Sequence, residues 1–231
     1  MKPKLFADLI SLVYPNYCLG CETSLIKGEE YICTRCFISL PKTNFHLDDN
    51  NSVIHKLLGR IQFEYAFSYL KFVKSGSVQK LLYHLKYLNK PEIGEVIGKW
   101  YGYDLKKSGF DKSFDVIIPV PLHASKLKTR GYNQCDGFAK GLAEILELTW
   151  DNNSLKRLKK SETQTRKSRN QRWSNVEDIF DVVNDTNIQN QRILIVDDVI
   201  TTGATIESCA QCLLSKGKVK SVSACAIASA E

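Results

Sequence analysis

Residues 193–205 read Ile193-Leu194-Ile195-Val196-Asp197-Asp198-Val199-Ile200-Thr201-Thr202-Gly203-Ala204-Thr205. The unbroken aliphatic run at its start lacks the alternation of a half-exposed strand and suits one covered on both faces, as in a parallel sheet. Two acids follow, then a hydroxyl-rich turn with a glycine, then residues that read as a helix. Such a turn aims free backbone N–H groups and the positive end of the helix dipole at one point, which makes an anion site. Thr201, Thr202 and Thr205 add hydroxyl donors. Asp197 and Asp198 stand where carboxylates accept from sugar hydroxyls or reach a hydrated Mg²⁺. The turn is not a P-loop, whose lysine is missing. The residue pattern alone also admits an ordinary capped turn, with the acids and threonines serving as cap groups.

Two further apolar runs, at Asp115–Pro121 (DVIIPVP) and Val219–Ala228, have the same character, and helical patterns lie between the runs at Tyr132–Leu148 and Ala204–Lys216. Strand and helix therefore alternate, which predicts an α/β fold with a parallel sheet flanked by helices. Ligands bind such sheets at the carboxyl ends of the strands, so Leu122–Gly131 and Asp197–Gly203 are the segments to examine. Upstream, Ser77 opens a helix with Val78, Leu81, Leu82, Leu85 and Leu88 on one face, and Pro91 starts another through Ile93, Val96, Ile97 and Trp100. Gln62–Val73, rich in aromatics, predicts one or two strands, and Pro3–Val13 a short amphipathic helix.

Cys18-x2-Cys21-x11-Cys33-x2-Cys36 supplies four thiolates in two paired knuckles, the donor set of a closed tetrahedral zinc ribbon. A four-thiolate site leaves no coordination position for water, so this zinc is structural. The remaining cysteines, Cys135, Cys209, Cys212 and Cys225, fall in predicted helices or a strand and read as packing residues. The division expected is 1–45 for the N-terminal helix and knuckle and 46–231 for the α/β domain.

The 231 residues carry a net charge of +7, and Leu155–Arg172 alone carries +7, with Lys159, Lys160, Arg166 and Lys167 among its cations. This segment, about 155–175, is either a solvated face or a basic flap suited to a polyanion such as pyrophosphate or nucleic acid. No apolar run reaches the roughly 18 residues of a membrane span. No signal-peptide cleavage pattern follows Lys2 and Lys4, so a cytoplasmic protein is expected.

The stretch VDDVITTGAT resembles the phosphoribosyl pyrophosphate motif of type I phosphoribosyltransferases. Pro119-Val120-Pro121-Leu122-His123 and Arg130-Gly131-Tyr132-Asn133-Gln134 are similar to the PVPLH…RGxNQ signature of ComF-type competence proteins, which also carry an N-terminal zinc knuckle. Arg172, Asn175 and Phe180 extend the resemblance. Two departures stand out: Lys126 occupies a position where the family commonly has arginine, and the Ser161–Thr165 segment fits the family pattern in no fixed register. The resemblance implies a type I phosphoribosyltransferase-like sheet, with Asp197 and Asp198 as catalytic carboxylates on the ribose hydroxyls. It implies Thr201, Thr202, Gly203, Ala204 and Thr205 around the 5′-phosphate, and Leu122, His123, Arg130 and Gly131 at the pyrophosphate.

His123 then has two readings, a donor or general acid at the pyrophosphate, or a ring hydrogen-bonded to its own loop. The cofactors implied are structural Zn²⁺ and Mg²⁺ with phosphoribosyl pyrophosphate. Two functions follow from the resemblance: a ligand-binding competence protein that handles imported single-stranded DNA with other competence-machinery proteins, or a Mg²⁺-dependent transferase with a nucleobase or amine acceptor. For DNA, Lys159, Lys160, Arg166 and Lys167 are the expected phosphate contacts. Trp173, Tyr132 or the aromatics of 63–72 either stack bases or belong to the core.

Overall fold

The computed structural model describes residues 15–59, 61–159 and 179–230. The helix expected at 3–13 and most of the basic flap, including Lys160, Arg166, Lys167, Arg172, Trp173 and Asn175, lie outside them.

The elements in chain order are α1 (Thr34–Ile38), α2 (Ser52–Leu57), β1 (Ala66–Phe72), α3 (Ser77–Tyr87), α4 (Glu92–Lys107), β2 (Val116–Pro119), α5 (Ala124–Arg130) and α6 (Gln134–Leu146). They continue with β3 (Thr149–Trp150), β4 (Leu155–Arg157), β5 (Phe180–Val182), β6 (Arg192–Ile200), α7 (Ala204–Ser215) and β7 (Ser221–Ala230). Five strands form a parallel sheet in the order β1-β7-β6-β2-β3, and β4 and β5 form a small antiparallel pair. The fold class read from the apolar runs is the one observed. The aromatic stretch at 62–73 gives one strand, β1, and Phe67 and Tyr69 are buried in it, so these two rings belong to the core and offer no face to a base.

The uninterrupted apolar runs of β2 and β6 have the expected cause, a core on each face. Ile117, Leu194, Val196 and Ile227 pack on one side with α3, α4 and α6, whereas Val116, Ile118, Ile193 and Ile195 pack on the other with α2 and α7. Alternate residues of one strand thus feed opposite cores. β7, between β1 and β6, is buried from Val222 to Ser229, and its small side chains include Ser229, which accepts the Ser68 hydroxyl at 2.9 Å. At the other end of the sheet the Arg192 guanidinium grips the Asp115 carboxylate at 2.7 and 3.0 Å, joining the starts of β2 and β6.

The cysteine segment is not a detached arm. Ile32, Cys36 and Leu40 share the first core with Leu81, Ile93 and Ile97, Phe37 meets Trp100 edge-on at 4.7 Å between centroids, and Lys80 pairs with Glu22 at 2.9 Å. α4 in turn lies backbone-to-backbone on α6. A Cβ at Gly98 would strike the Phe138 carbonyl, and one at Gly141 would strike the Glu95 carbonyl and sit 2.8 Å from the Lys99 nitrogen. No described helix is long and apolar enough to cross a membrane.

The close contact of α4 with α6 predicts the cost of a single methyl. Gly141→Ala is expected to destabilise the fold by roughly 2–3 kcal/mol, since neither backbone can retreat without disturbing the core. A urea unfolding midpoint unchanged from the parent protein would show that the helices are not in contact as described.

Candidate functional site

The carboxyl ends of β6 and β2 meet the amino end of α6 and the last turn of α3, and the chemistry-bearing residues gather there. β6 does not end with its aliphatic run. Pairing with β7 continues to Ile200 opposite Ser229, so Asp197 and Asp198 are strand residues held by the ladder. Asp198 follows the parity of Leu194 and Val196 and is 6% exposed. Both its oxygens are taken: Lys86 Nζ lies 2.8 Å from Oδ1, and Gln134 Nε2 donates to Oδ2 at 2.7 Å. A carboxylate this buried needs such partners, because an unpaired charge in the interior is strongly disfavoured.

Asp197 is less well provided. Its Oδ1 accepts from the Asp198 backbone N–H at 2.8 Å and from the Cys135 thiol at 3.5 Å. Burial, reinforced by the neighbouring Asp198 charge, pushes its pKa up to about 7. Burial and the two acids push the Cys135 thiol well above its usual range, so it stands as a protonated donor. The ligand atoms of Cys135, Asp197 and Asp198 lie within 4.8 Å of one another. For Mg²⁺ the fitting donors are the hard oxygens of the two aspartates.

Beyond the acids, Thr201 and Thr202 are exposed, and Gly203 turns the chain with φ +80 into α7, which it caps. Two constraints select glycine there: the left-handed backbone, and Leu57 of α2 packed where a Cβ would stand. Ala204 is exposed and Thr205 half-buried on the first turn.

Most of the segment 122–131 is a short helix, α5. Leu122 and His123 lead into α5, and the His123 Nδ1 caps it, accepting from the Ser125 N–H at 3.2 Å, so the ring is engaged with its own backbone. α5 closes at Gly131, φ +83, whose N–H donates to the Leu127 carbonyl at 2.7 Å. Arg130 donates to Gln134 Oε1 and lies 5.8 Å from the Tyr87 ring centre. A continuous polar chain therefore runs Arg130, Gln134, Asp198, Lys86. Sequence reasoning missed Lys86 and Gln134 as site residues. Gln134 carried a signal, as the last letter of the RGxNQ pattern, whereas Lys86 is a lone cation 112 positions from its partner.

The four N-terminal cysteines also come together, all Sγ atoms within 4.8 Å and Cys21 to Cys33 at 3.7 Å. Tetrahedral zinc with Zn–S near 2.3 Å places sulfurs about 3.8 Å apart, so the donor set fits this metal. Backbone N–H groups of Gly20 and Cys33 point at Cys18 Sγ at 3.4 and 3.2 Å, and burial pushes the Cys36 thiol up, a cost that a bound cation relieves. Cys209, Cys212 and Cys225 are buried packing residues. Of the four cations expected to contact nucleic acid only Lys159 is described, exposed at the end of the segment after β4.

The model of the phosphoribosyl transferase domain matches residues 133–231, the part of the chain that holds the two acids of β6, the threonine-glycine turn and α7. The chain is 30% identical over 218 residues to the competence protein ComFC of Bacillus subtilis, covering 86% of this chain and 84% of that one. It is 36% identical over 115 residues to competence protein F of Haemophilus influenzae, covering 49% and 50%. It is 28% identical over 225 residues to the DNA utilization protein YhgH of Shigella flexneri, covering 89% and 94%. The chain belongs to the ComF family of phosphoribosyltransferase-like competence proteins.

The raised pKa of Asp197 has a consequence for stability. In the unfolded chain this carboxyl ionises near pH 4, but in the fold only near 7, so the native state loses stability as pH rises through that window. Asp197→Asn removes the loss. It is expected to raise the unfolding free energy by on the order of 2 kcal/mol at pH 8, with the gain shrinking to nothing near pH 4. Denaturant titrations of both proteins across this range check it, and a gain that does not vary with pH contradicts the assignment.

Proposed function

We propose that this ComF-family protein binds phosphoribosyl pyrophosphate with Mg²⁺ at the end of β6 and serves in the cytoplasm in handling single-stranded DNA taken up by the cell. The observation that carries the reading is the acid pair, Asp198 buried and Asp197 half-buried, beside a turn whose Thr201 and Thr202 are exposed. On this reading Asp197 and Asp198 accept from the ribose hydroxyls. The N–H groups and hydroxyls of Thr201, Thr202, Gly203, Ala204 and Thr205 hold the 5′-phosphate. Leu122, His123, Arg130 and Gly131 border the pyrophosphate. Mg²⁺, held with the help of the aspartate oxygens, supplies charge neutralisation for the pyrophosphate.

The cations nearest the acids set what the chain itself contributes. Lys86 balances Asp198 in the free protein and lies within reach of any polyphosphate that arrives. Arg130, steadied by Gln134 and Tyr87, is a second cation for the pyrophosphate end. The closed four-cysteine site belongs to the proposal as a structural zinc that keeps α3 and α4 in place, and residues 1–45 are read as a module docked on 46–231. For DNA, the phosphate contacts proposed are Lys159, Lys160, Arg166 and Lys167, and the names of the competence and DNA utilization relatives support this assignment.

Calorimetric titration of phosphoribosyl pyrophosphate and Mg²⁺ into zinc-loaded protein should give micromolar binding. The double variant Asp197→Asn, Asp198→Asn should weaken it by about a hundredfold or more, the worth of two charge-assisted hydrogen-bond acceptors. An intact protein that binds no phosphoribosyl pyrophosphate overturns the reading. Single-stranded DNA affinity, followed by anisotropy from about 50 to about 200 mM salt, should fall steeply with salt. Neutralising the four cations to glutamine should reduce the slope by roughly 3, at about 0.7 per phosphate contact. An unchanged slope would remove these residues from the DNA interface.

A further inference from the structure

A cavity of about 520 Å³ opens at the amino-terminal ends of the strands, bounded by the starts of β1 and β6, by α2, and by the turns 45–49 and 110–113. β6 is nine residues long, so at ~3.3 Å per residue this cavity lies roughly 26 Å from the threonine-glycine turn. It has no part in the phosphoribosyl pyrophosphate site and does not rest on that reading.

Its inner wall is aromatic. Phe110 meets Tyr65 edge-to-face at 5.1 Å between centroids and Phe67 at 5.4 Å, and Phe45 closes one side. His46 also lines the cavity, is nine-tenths buried, and has no hydrogen-bond partner for Nδ1. Its ring is packed edge-on to Tyr101 at 5.5 Å, and burial keeps it neutral at pH 7.

The rim sets the charge of what enters. Asp48, Asp49 and Glu64 stand exposed around it. On the basic side are Lys112 and Arg192, and the Arg192 guanidinium is already committed to Asp115 and to the Lys112 carbonyl. In a chain whose net charge is +7, this opening is locally acidic, so it disfavours phosphate and favours donors of N–H bonds.

We propose that this cavity binds a free nitrogen heterocycle of nucleobase size, as base or nucleoside and without phosphate. The ring stacks on one of Tyr65 and Phe110 and meets the other edge-on, the two being nearly perpendicular at 81°, and its amino hydrogens are accepted by the rim carboxylates. The volume falls in the usual range for a small-molecule pocket, roughly 300–1,000 Å³.

The test uses the full zinc-loaded chain and adenosine as probe, with binding followed by calorimetry and by displacement. Adenosine should saturate one site with equal affinity in the parent protein and in the Asp197→Asn, Asp198→Asn variant. Affinity should fall at least tenfold in Glu64→Lys, a surface change that leaves the core intact, and in Phe110→Leu. Adenosine 5′-monophosphate should displace bound adenosine at least tenfold less well than adenosine itself. The proposal is overturned if adenosine shows no saturable binding at millimolar concentration or if its binding is lost with the two aspartates. It is equally overturned if Glu64→Lys, shown by circular dichroism to be folded, binds as the parent does, or if the monophosphate competes as well as the nucleoside.

Discussion

Two adjacent carboxylates at the end of a strand buried on both faces are an electrostatic problem that the surrounding structure has to solve. Asp198 is satisfied only because the last turn of α3 delivers Lys86 and the first turn of α6 delivers Gln134. Asp197 is left with one backbone N–H and a thiol, and its proton is correspondingly hard to remove. The fold thus holds the two acids at some cost to its own stability.

That constraint reaches back through the architecture. α6 can present Gln134 and Cys135 to the acids only if its axis is fixed, and the glycine contact between α4 and α6 fixes it by putting backbone on backbone. α3 and α4 are in turn packed under the cysteine knuckle through Ile32, Phe37 and Leu40. The cysteine segment, more than 160 residues from the acids in sequence, is therefore linked to them in space through α3, which pairs with Glu22 at Lys80 and with Asp198 at Lys86. The four thiols and the acids' partners belong to one mechanical chain.

Much of this was legible in the sequence, for identifiable reasons. Ile193–Val196 announced a doubly covered strand because burial on both faces erases the alternation of polar and apolar residues. The Cys-x2-Cys pairs announced a four-thiol cluster because thiol spacing is a local property. What stayed hidden was long-range or conditional. Lys86 looks like any helix cation until α3 is docked on the sheet. His123 read either as a donor at the pyrophosphate or as a ring bonded to its own backbone, and the helix Ala124–Arg130 that it caps shows the second contact. Phe67 and Tyr69 read either as stacking rings or as core, and only their position in β1 decides it. The knuckle's docking on α4 depends on the Phe37–Trp100 contact, which no spacing rule reveals.

The account turns on Asp197 and Asp198 as a ribose site whose charge Lys86 balances when no ligand is bound. The most direct test is a crystal structure of the zinc-loaded protein with phosphoribosyl pyrophosphate and Mg²⁺. Ribose hydroxyls should lie on the two carboxylates, the 5′-phosphate in the Thr201–Thr205 turn, and the Lys86 ammonium should have moved from Asp198 towards the pyrophosphate. Ligand bound elsewhere, with the Lys86–Asp198 pair intact, would contradict it.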